Sequence, residues 1–222
     1  GTVSDTYFIS GVNIAVNICE DIWYPGPIAR QKSQGAQLII NINGSPYTNR
    51  KHEFRKQLLS TRAKENAVSI CYANLVGGQD ELVFDGRSMV VDDQGHIMAE
   101  AQVFEEDLLI VDLPQPITKK NSPNAQTVIL ENSSSIRDPH MPSYPHDKYD
   151  LEIVYKALVT GTRDYVQKTG FTKVTLGLSG GIDSALVACI AKDALGSDNV
   201  TAIAMPSMHS SPNSAEDAGM LS

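Results

Sequence analysis

The sequence predicts an α/β protein with a parallel strand pair, and the stretch from Lys173 to Ala185 is the main reason. Val174, Leu176 and Leu178 alternate with Thr175 and Gly177, as a strand does. Ser179-Gly180-Gly181 then supplies turn chemistry, and Leu186, Val187, Ile190, Ala191 and Ala194 recur at helical spacing. Gly196 reads as the stop of that helix, and Val200 to Met205 as a second apolar strand. Strand, helix and strand in that order make a βαβ unit whose strands run parallel. A second observation is the region before Pro114, where apolar strands, two helices and a hairpin read as a mixed β-rich layer. The third is composition: 41% hydrophobic residues are enough for a real core in a chain of 222 residues, room for one large or two small domains.

Taken in order, Thr6 to Ser10 and Val12 to Ile18 form strands about Gly11. Pro25 and Pro27 open a helix over Ile28 to Gly35, and Gln37 to Ile42 is a strand. Lys51 to Asn66 is a polar helix with Phe54, Leu58 and Leu59 on one face. Val68 to Val76 is a strand, and Gly77-Gly78 a turn. Val83 to Asp92 and His96 to Gln102 pair as a hairpin about Asp93-Gln94-Gly95, and Leu108 to Leu113 closes the region. From Pro114 to about Asp147, Pro, Ser and Asn accumulate and predict an irregular connector. From Asp150 an amphipathic helix follows, with Leu151, Val154, Tyr155, Leu158, Val159, Tyr165 and Val166 on its apolar stripe. Gly170 ends it, and a further helix begins after Ser214.

Several function classes are excluded by what the residues lack. Net charge is −8 and the basic residues are dispersed, which does not make a nucleic-acid surface. No apolar run approaches the ~18 residues of a membrane-spanning helix, so no membrane role is expected. No leader pattern is seen at the amino end. Three cysteines without metal or CxxC spacing suit free thiols in a reducing, cytoplasmic compartment. The start at Gly1, almost on a strand, and the end inside a helix predict a segment of a longer protein.

Two stretches carry chemistry. The turn Gly177-Leu178-Ser179-Gly180-Gly181-Ile182-Asp183-Ser184 lies where a strand ends and a helix begins. Unpaired N–H groups and the helix dipole favour an anion there, and glycines let a phosphate approach the backbone. Ser179 and Ser184 add hydroxyl donors; Asp183 beside a phosphate calls for a divalent cation between them. The competing reading is an ordinary turn with Asp183 or Ser184 as an N-cap. The second stretch is the end of the strand Val12 to Ile18, where Cys19 precedes Glu20, Asp21 and Trp23. A nucleophilic thiol needs a nearby cation or base. None stands within four residues, so the fold would have to bring Arg30 or Lys51 close. Cys71 and Cys189 read as inert core residues.

The string Ser179-Gly180-Gly181-Ile182-Asp183-Ser184 resembles the SGGxDS loop of the ATP pyrophosphatase superfamily. That family makes an adenylate, releases pyrophosphate and lets a nucleophile displace AMP. Gly11 to Trp23 resembles the catalytic-cysteine strand of the nitrilase superfamily, and Asn43-Gly44-Ser45-Pro46-Tyr47 with Lys51 resembles its glutamine-binding segment. Gly77 to Gly86, the helix Val154 to Val166 and Met205-Pro206-Ser207 are similar too. Together they match the layout of the glutamine-dependent NAD⁺ synthetase family.

The resemblance implies the carboxy-terminal part of a nitrilase-like αββα sandwich over residues 1–115, a linker over 116–148, and the start of a doubly wound, adenine nucleotide alpha hydrolase-like domain over 149–222. It implies Cys19 as the nucleophile, Ser45 and Lys51 as glutamine-binding residues and Trp23 as a pocket wall. It implies ATP at Gly177 to Ser184 with Mg²⁺ at Asp183, and a homo-oligomer. Its substrates are glutamine, ATP and nicotinic acid adenine dinucleotide, with ammonia passing between sites through a tunnel. The nitrilase Glu and Lys precede the Cys by many tens of residues, and the rest of the dinucleotide site follows the loop; both are expected outside this sequence. Two other readings stand beside this one. GMP or asparagine synthetases share the loop but use unrelated glutaminases, which the internal Ile18-Cys19-Glu20-Asp21-Ile22-Trp23 argues against. A non-catalytic nucleotide-binding module fits only if the native chain is this short.

Overall fold

The computed structural model describes residues 6–113, 126–128, 151–204 and 219. Contacts divide the chain into two units, residues 1–76 with 84–147, and residues 77–83 with 148–222.

The first unit holds β1 (Thr6–Ile9), β2 (Val12–Ile18), α1 (Pro25–Ser33), β3 (Leu38–Asn43), α2 (Lys51–Asn66) and β4 (Ser69–Asn74). A ribbon follows, β5 (Val76–Gln79) with β6 (Leu82–Asp85), whose tip at residues 77–83 clusters with the second unit. Then come β7 (Met89–Val91), β8 (Ile97–Glu100) and β9 (Gln126–Val128). The sheet order is β8-β7-β4-β3-β2-β1-β9. Its centre is parallel: β2 runs beside β3 and β3 beside β4, each pair joined by a helical crossover. The register sets Asn17 beside Asn41, Asn41 beside Tyr72, and Asn43 beside Asn74. The carboxyl ends of three neighbouring strands thus open on one rim, the usual place for a site in an α/β sheet.

Ala15, Ile39 and Ile70 from the strands meet Ile28, Leu59 and Ala63 from the helices in one core. Each of these side chains is at most 1% exposed. On β2 and β3 the buried positions alternate, and the intervening Ile18 and Ile42 are 64% and 53% exposed.

The second unit packs α3 (Leu151–Lys168), β10 (Val174–Leu178), α4 (Ile182–Leu195) and β11 (Val200–Ala204). β10 and β11 are parallel, Gly177 beside Ile203, as a βαβ unit requires. α3 stops at Gly170 (φ +86°), where the Phe171 N–H reaches back to the Val166 carbonyl in a Schellman-type closure. In the same unit the Asp164 carboxylate accepts the Gly78 N–H at 2.7 Å, and Lys168 donates to the Gly78 carbonyl. A Cβ on Gly78 would stand 3.2 Å from the Gly161 Cα, closer than side chains usually pack, so glycine suits this approach.

The structure corrects several expectations. The strand Val83 to Asp92 is two strands, broken at Gly86-Arg87-Ser88, where Gly86 adopts φ +65°. Leu108 to Leu113 joins no sheet, and Leu108 is 76% exposed. Within the stretch expected to be irregular, Gln126–Val128 forms a strand parallel to β1. On α2 the buried side chains are Arg55, Leu59 and Ala63, while Phe54 lies half-exposed. On α3 they are Ile153, Ala157, Thr160 and Val166, whereas Leu151 and Tyr165 are exposed. Cys189 is exposed on α4 and not a core residue. The remainder of the connector, Met205-Pro206-Ser207 and, Gly219 apart, the helix expected after Ser214 lie outside the described residues.

Candidate active site

At the end of β2 the chain cannot continue straight. Cys19 takes φ +49°, a left-handed conformation unusual for a side chain other than glycine, asparagine or aspartate. It opens a 3-10 turn, Cys19–Ile22, anchored by the fully buried Ile22. The Asp21 carboxylate accepts the Ile18 N–H at 3.0 Å and closes the turn on itself. Strain of this kind persists only where surroundings hold it, and it gathers at reactive sites. The Cys19 side chain is left partly exposed.

A relay of buried amides reaches this turn from the sheet. Gln31 on α1 donates to the Val16 carbonyl at 3.0 Å and accepts from Asn17 at 3.2 Å. Asn41 donates to Asn17 at 2.7 Å, and Asn43 donates to Asn41 at 3.0 Å. The Asn41 and Asn43 amides also face the Cys19 carbonyl, at 3.4 and 3.5 Å. Buried amides of this sort are tolerated only when paired, and pairing makes them specific.

After β3 the chain reaches Ser45, 4% exposed, whose backbone is gripped by Asn74: its N–H donates to the Asn74 Oδ1 at 2.9 Å, and its carbonyl accepts from the Nδ2 at 3.4 Å. Lys51 stands at the start of α2, with its ammonium 5.6 Å from the centroid of the Trp23 ring. Trp23 packs edge-on against Phe54 at 5.7 Å. Burial lowers the Lys51 pKa, and the Arg55 charge lowers it further; Asp85 and Cys19 oppose both. The fold thus places a lysine in the electrostatic field of the cysteine, although their positions in the sequence are far apart. Beneath lies a buried ion pair in which one Arg55 nitrogen (Nη2) meets both Asp85 oxygens, at 2.7 and 2.9 Å. Burial pushes the Tyr72 hydroxyl up, against Arg55 and Ser45 beside it. Cys19, Trp23, Ser45 and Lys51 therefore share one neighbourhood at the sheet rim. Of the two cations that sequence position offered to Cys19, the one in its field is Lys51; Arg30 lies exposed on α1.

Sequence reasoning missed Arg55, Asp85 and the amide relay. The signal for the relay was present: Asn17, Asn41 and Asn43 sit at alternate positions of apolar strands, where an amide must find a partner. Arg55 carried no such signal, because a charged residue on a polar helix reads as solvated.

In the second unit the loop from Gly177 to Ser184 joins β10 to α4. Gly180 takes φ +80°, which needs a glycine. The two serines cinch the loop: Ser184 Oγ accepts from the Ser179 N–H at 3.2 Å and donates to the Gly181 carbonyl at 2.9 Å, and Ser179 Oγ accepts from the Gly181 N–H at 3.3 Å. The first α4 ladder bond runs from Ala185 to Gly181, so the N–H groups of Ile182, Asp183 and Ser184 precede it and point out of the helix start. Leu178 is buried, whereas Ser179, Gly181, Ile182 and Asp183 are exposed. Asp183 lies in the first turn and is the carboxylate that this loop offers a cation; among the described residues no cluster of three or more His, Cys, Asp or Glu could hold a metal.

Comparison with known proteins places both units. Residues 1–120 match the carbon-nitrogen hydrolase family model, and residues 154–222 match the NAD synthase model. A glutamine-dependent NAD(+) synthetase of Aquifex aeolicus is 45% identical over 226 residues, covering 96% of this chain and 40% of its own length. One from Thermotoga maritima is 41% identical over 231 residues, with the same coverage of 96% and 40%. The solved glutamine-dependent NAD+ synthetase of Acinetobacter baumannii, in complex with adenosine diphosphate, matches with a TM-score of 0.81 and 37% identity, over 99% of this chain and 38% of that one. This chain thus spans about 40% of the length of these curated relatives. Across residues 1–120 it belongs to the carbon-nitrogen hydrolase family, and from residue 154 it continues into a segment of the NAD synthase type.

Proposed function

We propose that the full-length protein is a glutamine-dependent NAD⁺ synthetase, a ligase that amidates nicotinic acid adenine dinucleotide with ammonia from glutamine. The observation that carries this reading is Cys19, held at a strained strand-end turn with Lys51 in its field. The Cys19 thiolate attacks the side-chain amide carbon of glutamine, ammonia leaves, and water hydrolyses the thioester to glutamate. Lys51 faces the α-carboxylate of glutamine, Ser45 helps hold it, and Trp23 walls the pocket.

At the second site the carboxylate of the dinucleotide attacks the α-phosphorus of ATP and pyrophosphate leaves; ammonia then takes the carbonyl carbon and AMP leaves. The backbone from Gly177 to Ser184 receives the phosphates at the start of α4. The Acinetobacter relative in complex with adenosine diphosphate supports the use of an adenine nucleotide by the full-length protein. One exposed carboxylate fits Mg²⁺, which keeps most of its shell from water and phosphate oxygens. Asp183 would hold that ion, whose chemistry is to neutralise phosphate charge. We place the functional boundaries at 1–115, 116–148 and 149–222, the protein in the cytoplasm, and its assembly as a homo-oligomer. Among the described residues no helix is long and apolar enough to cross a membrane.

The test is product analysis with the full-length protein, ATP, glutamine and the acid dinucleotide. NAD⁺, AMP and pyrophosphate should appear in equal amounts. Amidation of xanthosine monophosphate or aspartate instead would select a different amidotransferase, and nucleotide binding without turnover would select a non-catalytic module.

A further inference from the structure

Arg62 lies on α2, outside every motif that suggested the chemistry, yet its side chain is only 12% exposed. Its Nη2 donates to the Trp23 carbonyl at 2.8 Å and its Nε to the Ile22 carbonyl at 3.3 Å. Its Nη1 meets Glu65, one helical turn on, at 3.0 Å, which fixes the plane of the guanidinium. The two carbonyls are those at the far end of the turn that Cys19 opens. A helical turn leaves its last carbonyls without intrahelical donors, and a planar cation with several donors can serve two at once.

The Cys19 turn is therefore held at both ends. At its start the Asp21 carboxylate accepts the Ile18 N–H at 3.0 Å, and the amides of Asn41 and Asn43 approach the Cys19 carbonyl at 3.4 and 3.5 Å. At its end the Arg62 fork makes the shorter, charge-assisted contact. A left-handed cysteine relaxes unless both ends of its turn are pinned. We infer that Arg62 is a positioning residue for the Cys19 nucleophile: its guanidinium clamps the Ile22 and Trp23 carbonyls and so fixes the turn that carries the thiol. Lysine could supply the charge but not the fork, so charge alone does not satisfy the role.

This inference rests on the reading of Cys19 as the glutaminase nucleophile. The test compares Arg62→Lys and Arg62→Ala with the wild type in the full-length enzyme, with glutamine and with ammonium as nitrogen donor. Both variants should lose about tenfold to a hundredfold in glutamine-dependent kcat, with glutamine KM within about twofold, as expected when a reacting group is misplaced while substrate binding is intact. Ammonium-dependent NAD⁺ formation should stay at the wild-type rate. Added guanidinium ion should restore part of the glutamine-dependent rate to Arg62→Ala and leave the wild type unchanged. A wild-type kcat in Arg62→Lys, a rise in KM alone, or equal loss with both nitrogen donors would overturn the assignment. A wild-type enzyme that never hydrolyses glutamine would instead overturn the reading of Cys19 itself.

Discussion

Replacing Asp85 by asparagine should damage the first unit more than any surface change, because it strands a buried cation. Arg55 and Asp85 are 2% and 1% exposed, and both carboxylate oxygens accept from the same Arg55 nitrogen. Removing one member of a buried pair costs about 3–5 kcal/mol, since the partner's desolvation is no longer repaid. Against a domain stability of about 5–15 kcal/mol, that is a large fraction. Replacing both members together, Arg55→Met with Asp85→Leu, should cost much less, because no charge remains to be solvated. Native-state hydrogen exchange on the full-length protein is the suitable assay, since it reads the opening free energy of α2 and β6 separately from other parts. Protection there should fall by about 3–5 kcal/mol in Asp85→Asn and recover most of that in the double replacement. A single-variant loss below about 1 kcal/mol, or a double variant as damaged as the single, would refute the reasoning.

Other outcomes follow from the same neighbourhood. Lys51 has its pKa lowered by burial first and then by Arg55, so its ammonium deprotonates at lower pH than that of a free lysine. Glutamine binding that needs this cation is intact at low pH and lost as pH rises through the lowered value; glutamine KM should climb on that limb, and Lys51→Arg should abolish the climb. Stability moves the opposite way: the cost of keeping Lys51 charged is present below its lowered pKa and relieved as pH rises towards 10.5, so Lys51→Met should flatten that rise in a pH series of melts. At the loop, Asp183→Asn should cut the synthetase rate at least about tenfold and raise the Mg²⁺ requirement, with ATP affinity less affected; a mere cap would leave kinetics normal and cost about 1 kcal/mol of stability or less, since asparagine caps as aspartate does. In the second unit, Asp164→Ala leaves the Gly78 N–H without its acceptor and should lower exchange protection over residues 77–83 by about 1–3 kcal/mol, whereas unchanged protection would deny the contact any role.

Local chemistry was readable where the chain itself decides the outcome. The helix Lys51–Asn66 and the strand, glycine turn and helix from Val174 to Leu195 follow from periodicity and turn residues alone. Which face of a helix is buried depends on what approaches it. On α3, Gly161 admits the Gly78 backbone, so small Ala157 and Thr160 are buried and bulkier Leu151 and Tyr165 are left outside. A count of large apolar residues picks the wrong stripe for that reason. Resemblance points to Cys19, but the sequence leaves open whether Arg30 or Lys51 comes near it: Lys51 enters its field because parallel β2 and β3 end on the same rim and α2 starts there. Arg55 and Asp85 escaped for a related reason, since a buried charge declares itself only when its partner, distant in sequence, is seen beside it.

The division of labour between the cysteine turn and the glycine loop is tested most directly by following the nitrogen. The full-length enzyme and its Cys19→Ala variant are each given the acid dinucleotide and ATP, once with amide-¹⁵N-glutamine and once with ¹⁵N-ammonium, and label in NAD⁺ is measured. The wild type should incorporate ¹⁵N from both donors, and the variant from ammonium alone at an undiminished rate. Label from glutamine in the variant, or loss of incorporation from ammonium, would contradict a cysteine whose sole task is to release ammonia for the other site.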